Sequence, residues 1–262
     1  MYDFSELERY IKRYKTEKKM KKITIIADAH LQHDEQPHQS YLIAKKFVKS
    51  MKPDTIVLLG DFLDFNYLSS YDELLFKHRE NKRILKDYEM LNKELDYFQK
   101  CSKEIIYLEG NHEYRVTAAI AKNPNLEGLL EVPINLNLKE RNIKWVPEME
   151  QPINLNGLYL LHGKNYGIHF TKKTLYEIGG NCVQGHCHRI QSHSMKQFAG
   201  EKEYTCWGIG CLSSKAPAYL KGRSNHHMNG LAIVYVDGED IDLHNIHINN
   251  NKLIFNNKLW KV

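Results

Sequence analysis

The 262-residue chain has no apolar run approaching the roughly 20 residues that a membrane-spanning helix needs. Its first residues, Met1 to Lys22, are charged and lack the apolar core of a secretory signal. The cysteines are Cys101, Cys182, Cys187, Cys206 and Cys211, an odd number with no CxxC pair. Neither a disulfide framework nor a structural zinc site is expected. There is no internal repeat and no low-complexity linker. Charge of one sign is also scarce: 37 basic residues face 32 acidic ones, for a net charge of +5. That excess suits an anionic substrate without demanding nucleic acid. These absences point to a cytoplasmic globular protein with no membrane partner.

What is present is ordinary globular material, 42% hydrophobic and 26% charged, in a chain long enough to bury a sizeable core. Residues Ser5 to Met20 read as a helix with Leu7, Tyr10, Ile11 and Tyr14 on one face. The basic run from Lys12 to Lys22 reads as a solvated surface. The expected organisation is an N-terminal helix over 1–20 and a single domain over 21–262.

Strands are expected at Ile23–Ala27, Thr55–Leu59 and Glu104–Leu108, separated by helices over Ser40–Met51 and about Arg79–Lys100. Strand alternating with helix predicts parallel pairing with right-handed crossovers. A helical patch over about Glu113–Leu130 follows. After it the pattern changes to short strands at Ile143–Val146, Leu158–Leu161, Asn181–Gln184, Ser192–Phe198, Glu203–Ile209, Leu231–Val236, Ile241–Ile248 and Lys252–Phe255.

Five short motifs occur in order: Asp28-Ala29-His30, Gly60-Asp61-Phe62-Leu63-Asp64, Gly110-Asn111-His112-Glu113, His162-Gly163 and Gly185-His186-Cys187-His188. Each is weak alone. Each also follows a predicted buried strand, and open α/β sheets gather their ligand sites at such strand ends. Two divalent metals about 3.5–4 Å apart need a bridging anion and several terminal ligands, and carboxylate with imidazole suits manganese, iron and zinc. In DxH and HxH the two ligand-type residues share one side of an extended segment.

This ordered set resembles the calcineurin-like metallophosphoesterase superfamily. The resemblance implies an α/β fold, a four-layer α/β/β/α sandwich of two mixed β-sheets flanked by helices. It implies two divalent metal ions, manganese foremost, with iron, zinc or nickel as substitutes. Asp28, His30 and His188 would hold the first, Asn111, His162 and His186 the second, and Asp61 would bridge them. His112 would stand over the substrate without binding metal. A metal-bridging hydroxide would attack phosphorus, with His112 as imidazolium serving the leaving oxygen. Asp64 is expected to order the loop behind Asp61.

The substrate is less legible. Protein phosphatases of the superfamily resemble GDxxDRG at the second motif, where this chain has Phe65-Asn66. Purple acid phosphatases resemble a form with a metal-binding tyrosine, for which Phe62 and Leu63 cannot serve. Arg115, Lys164, Tyr166 and Arg189 lie near the motifs and are the candidate substrate contacts. Lys215, Arg223, His226 and His227 belong to a later loop that could reach the cleft. Cys187, between two ligands, reads as a packing residue, and His33, His38, His78, His169, His193, His244 and His247 as ordinary histidines. The leading expectation is hydrolysis of phosphodiesters of nucleotides or nucleic acid. The alternatives are a general phosphomonoesterase, or a non-catalytic scaffold on the same fold.

Overall fold

The computed structural model describes residues 20–69, 80–197, 200–217, 222–223, 225–238 and 240–262. The expected N-terminal helix, most of the basic run, His78 and the start of the helix placed at Arg79 lie outside the described residues.

An eight-stranded sheet is built around three apolar strands, β1 (Lys21–Ile26), β2 (Thr55–Leu58) and β3 (Glu104–Leu108). They pair in parallel, as expected, and β4 (Lys144–Val146) extends them. Each reads as a continuous apolar run because both of its faces are covered. Ile23, Ile25, Val57, Ile106 and Leu108 join the core between the two sheets. Ile56, Leu58, Ile105 and Tyr107 point the other way, into the core shared with the helices.

Those helices are α1 (Gln39–Met51) and α2 (Ile84–Gln99). Tyr41, Ala44, Phe47 and Val48 of α1 are buried, as are Tyr88, Leu91, Leu95 and Phe98 of α2, at the spacing of a single helix face. Lys52 ends α1 in the left-handed region, and Pro53 cannot extend it. The helix expected over Glu113–Leu130 is shorter. Helix α3 covers Tyr114–Lys122 and stops before Pro124, whose ring excludes continuation. A short α4 follows at Val132–Asn135.

The second half of the chain divides between two sheets. Strands β5 (Ile153–Leu155), β6 (Leu158–Leu161), β7 (Cys182–Gln184), β8 (Ile190–Lys196) and β9 (Glu203–Ile209) form a five-stranded sheet in the order β5-β6-β7-β9-β8. Helix α5 (Phe170–Ile178) lies on its outer face, with Leu175 against Leu161, Cys182 and Cys206. Strands β10 (Gly230–Asp237), β11 (Asp240–Asn249), β12 (Lys252–Phe255) and β13 (Lys258–Lys261) return to the first sheet, where β10 pairs antiparallel with β1. The result is helix, mixed sheet, mixed sheet, helix: the expected four-layer α/β/β/α sandwich. Strands β5 and β13 were not expected. Each is short and closes a hairpin on the neighbouring strand, so pairing rather than propensity makes it a strand.

Candidate metal centre

All five motifs sit at C-terminal strand ends. Asp28 and His30 follow β1, Gly60 and Asp61 follow β2, and Gly110, Asn111 and His112 follow β3. His162 follows β6, and His186 and His188 follow β7. The loops are stitched by their backbones: Asp28 N–H donates to Gly60 O at 3.1 Å and His30 N–H to Asp61 O at 3.0 Å. Asp28, His30, Asp61, His186 and His188 all take positive φ, between 47° and 61°. Such backbone costs on the order of 1–3 kcal/mol per residue and persists where the surroundings over-determine it, typically at functional sites. Gly110 has no room for a side chain, because a Cβ there would collide with the Asp61 carboxylate and backbone.

Among the described residues, ligand-type atoms gather in three groups; one of them, His30 with Asp64 and His112, shares its His30 with the first of the two that follow. Asp28, His30 and His188 each present an atom within 4.8 Å of the others, and so do Asp61, His162 and His186. Asn111 Oδ1 completes the second group, 3.1 Å from His162 Nε2 and 2.8 Å from His186 Nδ1. Asp61 Oδ2 reaches both groups, 3.2 Å from His162 Nε2 and 4.0 Å from His30 Nε2.

The donor set fits divalent cations. His162 Nδ1 donates to Leu59 O at 2.8 Å, which turns the lone pair of Nε2 toward Asp61 and Asn111. His30 Nδ1 donates to Asp64 Oδ1 at 3.2 Å, which turns its Nε2 toward His188 Nε2, 3.1 Å away. Two imidazole nitrogens so close need a proton or a cation between them. Asp28 Oδ1 is buried with no hydrogen bond, and His188 Nε2 is 3.3 Å from it. Acceptors thus converge on two points with too few protons to pair them.

Titration reflects the same crowding. Burial disfavours a charged His162, but Asp61 and then Asp28 outweigh it and raise its pKa to about 10. Burial and the neighbouring His162 charge push His186 down to about 4. His112 is raised: burial opposes its charge, and Asp61 and Asp64 together overcome burial and the Arg115 guanidinium. Asp61 lies well below the carboxylate range, since the surrounding histidines outweigh its burial.

A consequence can be measured. His162 holds a proton at neutral pH without metal, so a cation taking its Nε2 must expel that proton. Because the raised pKa lies above neutrality, apparent metal affinity should climb about tenfold per pH unit for each proton released, from pH 6 to 8. Titration calorimetry in buffers of different ionisation heat reads the proton count, and release of none contradicts this account.

His112 N–H donates to Asp61 Oδ1 at 2.8 Å, and its Nδ1 lies 3.2 Å from Asp64 Oδ1. Asp64 therefore braces the His30 and His112 rings, and does not order the loop behind Asp61. That loop is held by Glu113, which is wholly buried. Its carboxylate accepts from Asp61 N (2.9 Å), Phe62 N (2.8 Å), Leu63 N (3.0 Å), Gly110 N (3.0 Å) and the Tyr107 hydroxyl (2.8 Å). Glu113 is legible as part of its motif, but its role is visible only once the loops meet. Gln151 carries no sequence signal at all. It accepts from His162 N at 2.7 Å and donates to Glu109 O at 2.7 Å.

The four candidate substrate contacts differ. Arg115 lies along His112 and donates to Asp64 O and Asn66 Oδ1, both at 2.8 Å. Tyr166 is 72% exposed, with its ring centre 5.8 Å from that of His186. Lys164 is exposed, 4.0 Å from Glu148. Arg189 meets the Tyr166 loop through Gly167 O at 3.4 Å. Of the later loop, His227 reaches the centre, its ring 4.6 Å from that of His188, and Met228 N–H donates to His188 O at 2.7 Å. Cys187 Sγ points to Asn165 O at 2.9 Å, a packing contact as expected.

The Gene 54 protein of Mycobacterium phage L5 is 23% identical over 258 residues, covering 92% of this chain and 99% of that one. Among solved structures, wild-type Vps29 from Entamoeba histolytica complexed with zinc is 10% identical, with a TM-score of 0.47 over 89% of this chain and 96% of that one. The Pseudomonas putida nuclease MPE is 14% identical, with a TM-score of 0.35 over 84% and 85%. Residues 21–203, more than half of the chain and all five motifs, match the calcineurin-like phosphoesterase family, and the protein belongs to it.

Proposed function

We propose that the protein is a cytoplasmic, metal-dependent hydrolase of phosphodiesters in nucleotides or nucleic acid. The observation that carries this reading is the pair of facing ligand groups with Asp61 between them and His112 alongside. Two divalent ions, with manganese first among manganese, iron, zinc and nickel for this oxygen and imidazole set, would supply Lewis acidity that makes water nucleophilic near neutral pH and offsets phosphoryl charge. Asp28, His30 and His188 would hold one, Asn111, His162 and His186 the other, and Asp61 both.

The chain's own contribution is orientation and proton transfer. Asp64 braces His30 and His112 from behind. Asp61 and Asp64 raise the pKa of His112 against its burial, which favours the protonated ring that would donate to the leaving oxygen. Arg115 adds positive charge beside that proton. Tyr166 and Lys164 flank the second group and Arg189 stands next to His188 of the first, an aromatic ring and cations that suit a base and its phosphate.

The test is kcat/KM for a phosphopeptide, a mononucleotide, a cyclic nucleotide and a single-stranded oligonucleotide, with manganese added. A diester should lead. A phosphopeptide leading by tenfold, or a monoester leading throughout, overturns the diester assignment, and no metal-dependent turnover of any of them leaves the scaffold reading. His112→Ala should retain both metals and slow turnover by roughly 10²–10⁴-fold, the usual worth of a general acid. The loss should shrink with a nitrophenolate leaving group, which needs no proton. Equal loss for both leaving groups contradicts the assignment.

A further inference from the structure

A cavity of about 170 Å³ opens from the second ligand group, with Asn111 and His162 on its wall. It is smaller than the roughly 300 Å³ at which pockets for whole small ligands begin. It therefore takes one substituent of a substrate whose phosphate lies at the ligand groups.

The lining decides which substituent. Several polar groups are already committed. Gln151 is held at both ends by His162 N and Glu109 O. Asn165 donates to Thr174 Oγ1 at 3.1 Å and to Glu177 Oε2 at 2.6 Å, and Thr174 donates to the buried Gln184. These bonds hold the wall rigid, and besides His162 its charged side chains are Glu148, Lys164 and Glu177. The Glu148 carboxylate lies 4.0 Å from Lys164 Nζ. The other carboxylate is Glu177, whose Oε1 lies 3.8 Å from Lys173. With Lys164 and Lys173 set against Glu148 and Glu177, these side chains carry no net charge to draw a second phosphate, and the carboxylates accept from hydroxyl or amino donors. Leu161, Ile178 and Pro152 supply the apolar remainder of the wall.

We propose that this cavity is a subsite for one neutral, donor-bearing ring of the substrate, a nucleoside sugar or base, and that it ends the chain there. The enzyme then releases or retains a terminal nucleoside and does not cut within a strand threaded through both sides. This rests on the phosphodiesterase reading and deepens it.

Two measurements separate the subsite from that reading. The first is kcat/KM for thymidine 5′-(p-nitrophenyl) phosphate relative to methyl p-nitrophenyl phosphate. Wild-type protein should prefer the nucleoside diester by tenfold or more. Glu148→Gln, a partly exposed change, and Ile178→Trp, which fills the cavity, should each cut that ratio at least fivefold. An unchanged ratio in both variants overturns the proposal. The second is the effect of thymidine on the side-chain amides of Gln151 and Asn165 in metal-free protein, read by ¹H–¹⁵N spectra. A saturable shift of both amides supports the subsite even if no diester is hydrolysed, in which case the phosphodiesterase reading alone fails. Hydrolysis of both diesters with no amide shift overturns the subsite and leaves that reading standing.

Discussion

Asp61→Ala is expected to lose bound divalent metal and phosphoesterase activity together. Asp61 Oδ2 faces both ligand groups, and Oδ1 takes the His112 backbone N–H. Without it, two cations would face one another with less charge to offset their repulsion, and the remaining donors are imidazoles, one amide and Asp28. Metal content should fall from two equivalents toward one or none. Turnover should fall by at least roughly 10³-fold, as losing several kcal/mol of transition-state charge stabilisation requires. Asp61 sits at φ 53°, where alanine is strained, so Asp61→Asn is the fairer companion. It keeps the shape, tolerates the backbone and retains an acceptor for His112, yet lacks the charge. Elemental analysis and initial rates read both variants. Full metal content with substantial activity in Asp61→Asn would falsify the bridging role.

Glu113→Ala should produce the largest loss of stability. Five donors end on that buried carboxylate, four of them backbone N–H groups of the Gly60 and Gly110 loops. Leaving a buried donor unpaired costs about 1–3 kcal/mol, and even with water entering the gap a total of at least about 4 kcal/mol is expected. That is a large share of the roughly 5–15 kcal/mol by which a domain is stable. In metal-free protein the melting temperature should drop by roughly 10 °C or more. Glu113→Gln returns acceptors at one end only and should fall between. A metal-free melting curve within about 2 °C of wild type for Glu113→Ala would show that the loops hold themselves. Because the same bonds fix Asp61, metal affinity should weaken alongside.

The contrast between Glu113 and Asp61 shows where sequence reading reaches its limit here. Asp61, Asp28, His30, Asn111, His162, His186 and His188 could be picked out because each stands beside glycine, or in an alternating pair, after a run of β-branched and aliphatic residues. Those runs are legible because strands covered on both faces carry apolar side chains at successive positions. Glu113 stands in the same motif as Asn111, but three of its five partners, Asp61, Phe62 and Leu63, come from a loop 50 to 52 residues away in sequence. Gln151 and His227 have no local pattern at all. Arg115 reads as a candidate substrate contact until the structure turns it onto His112, Asp64 and Asn66.

From the sequence alone came the parallel core, the order of the motifs and the chemical type of the centre, because these depend on local periodicity and on residue types that few other chemistries need. The tertiary structure decided the rest. It set the return of β10 to β1, the bracing of His30 and His112 by Asp64, and the anchoring of the Asp61 loop by Glu113. It also formed the small cavity beyond Asn111 and His162. These are contacts between segments far apart in the chain. Their existence depends on which backbone groups the fold buries and leaves needing partners, and no single segment carries that information.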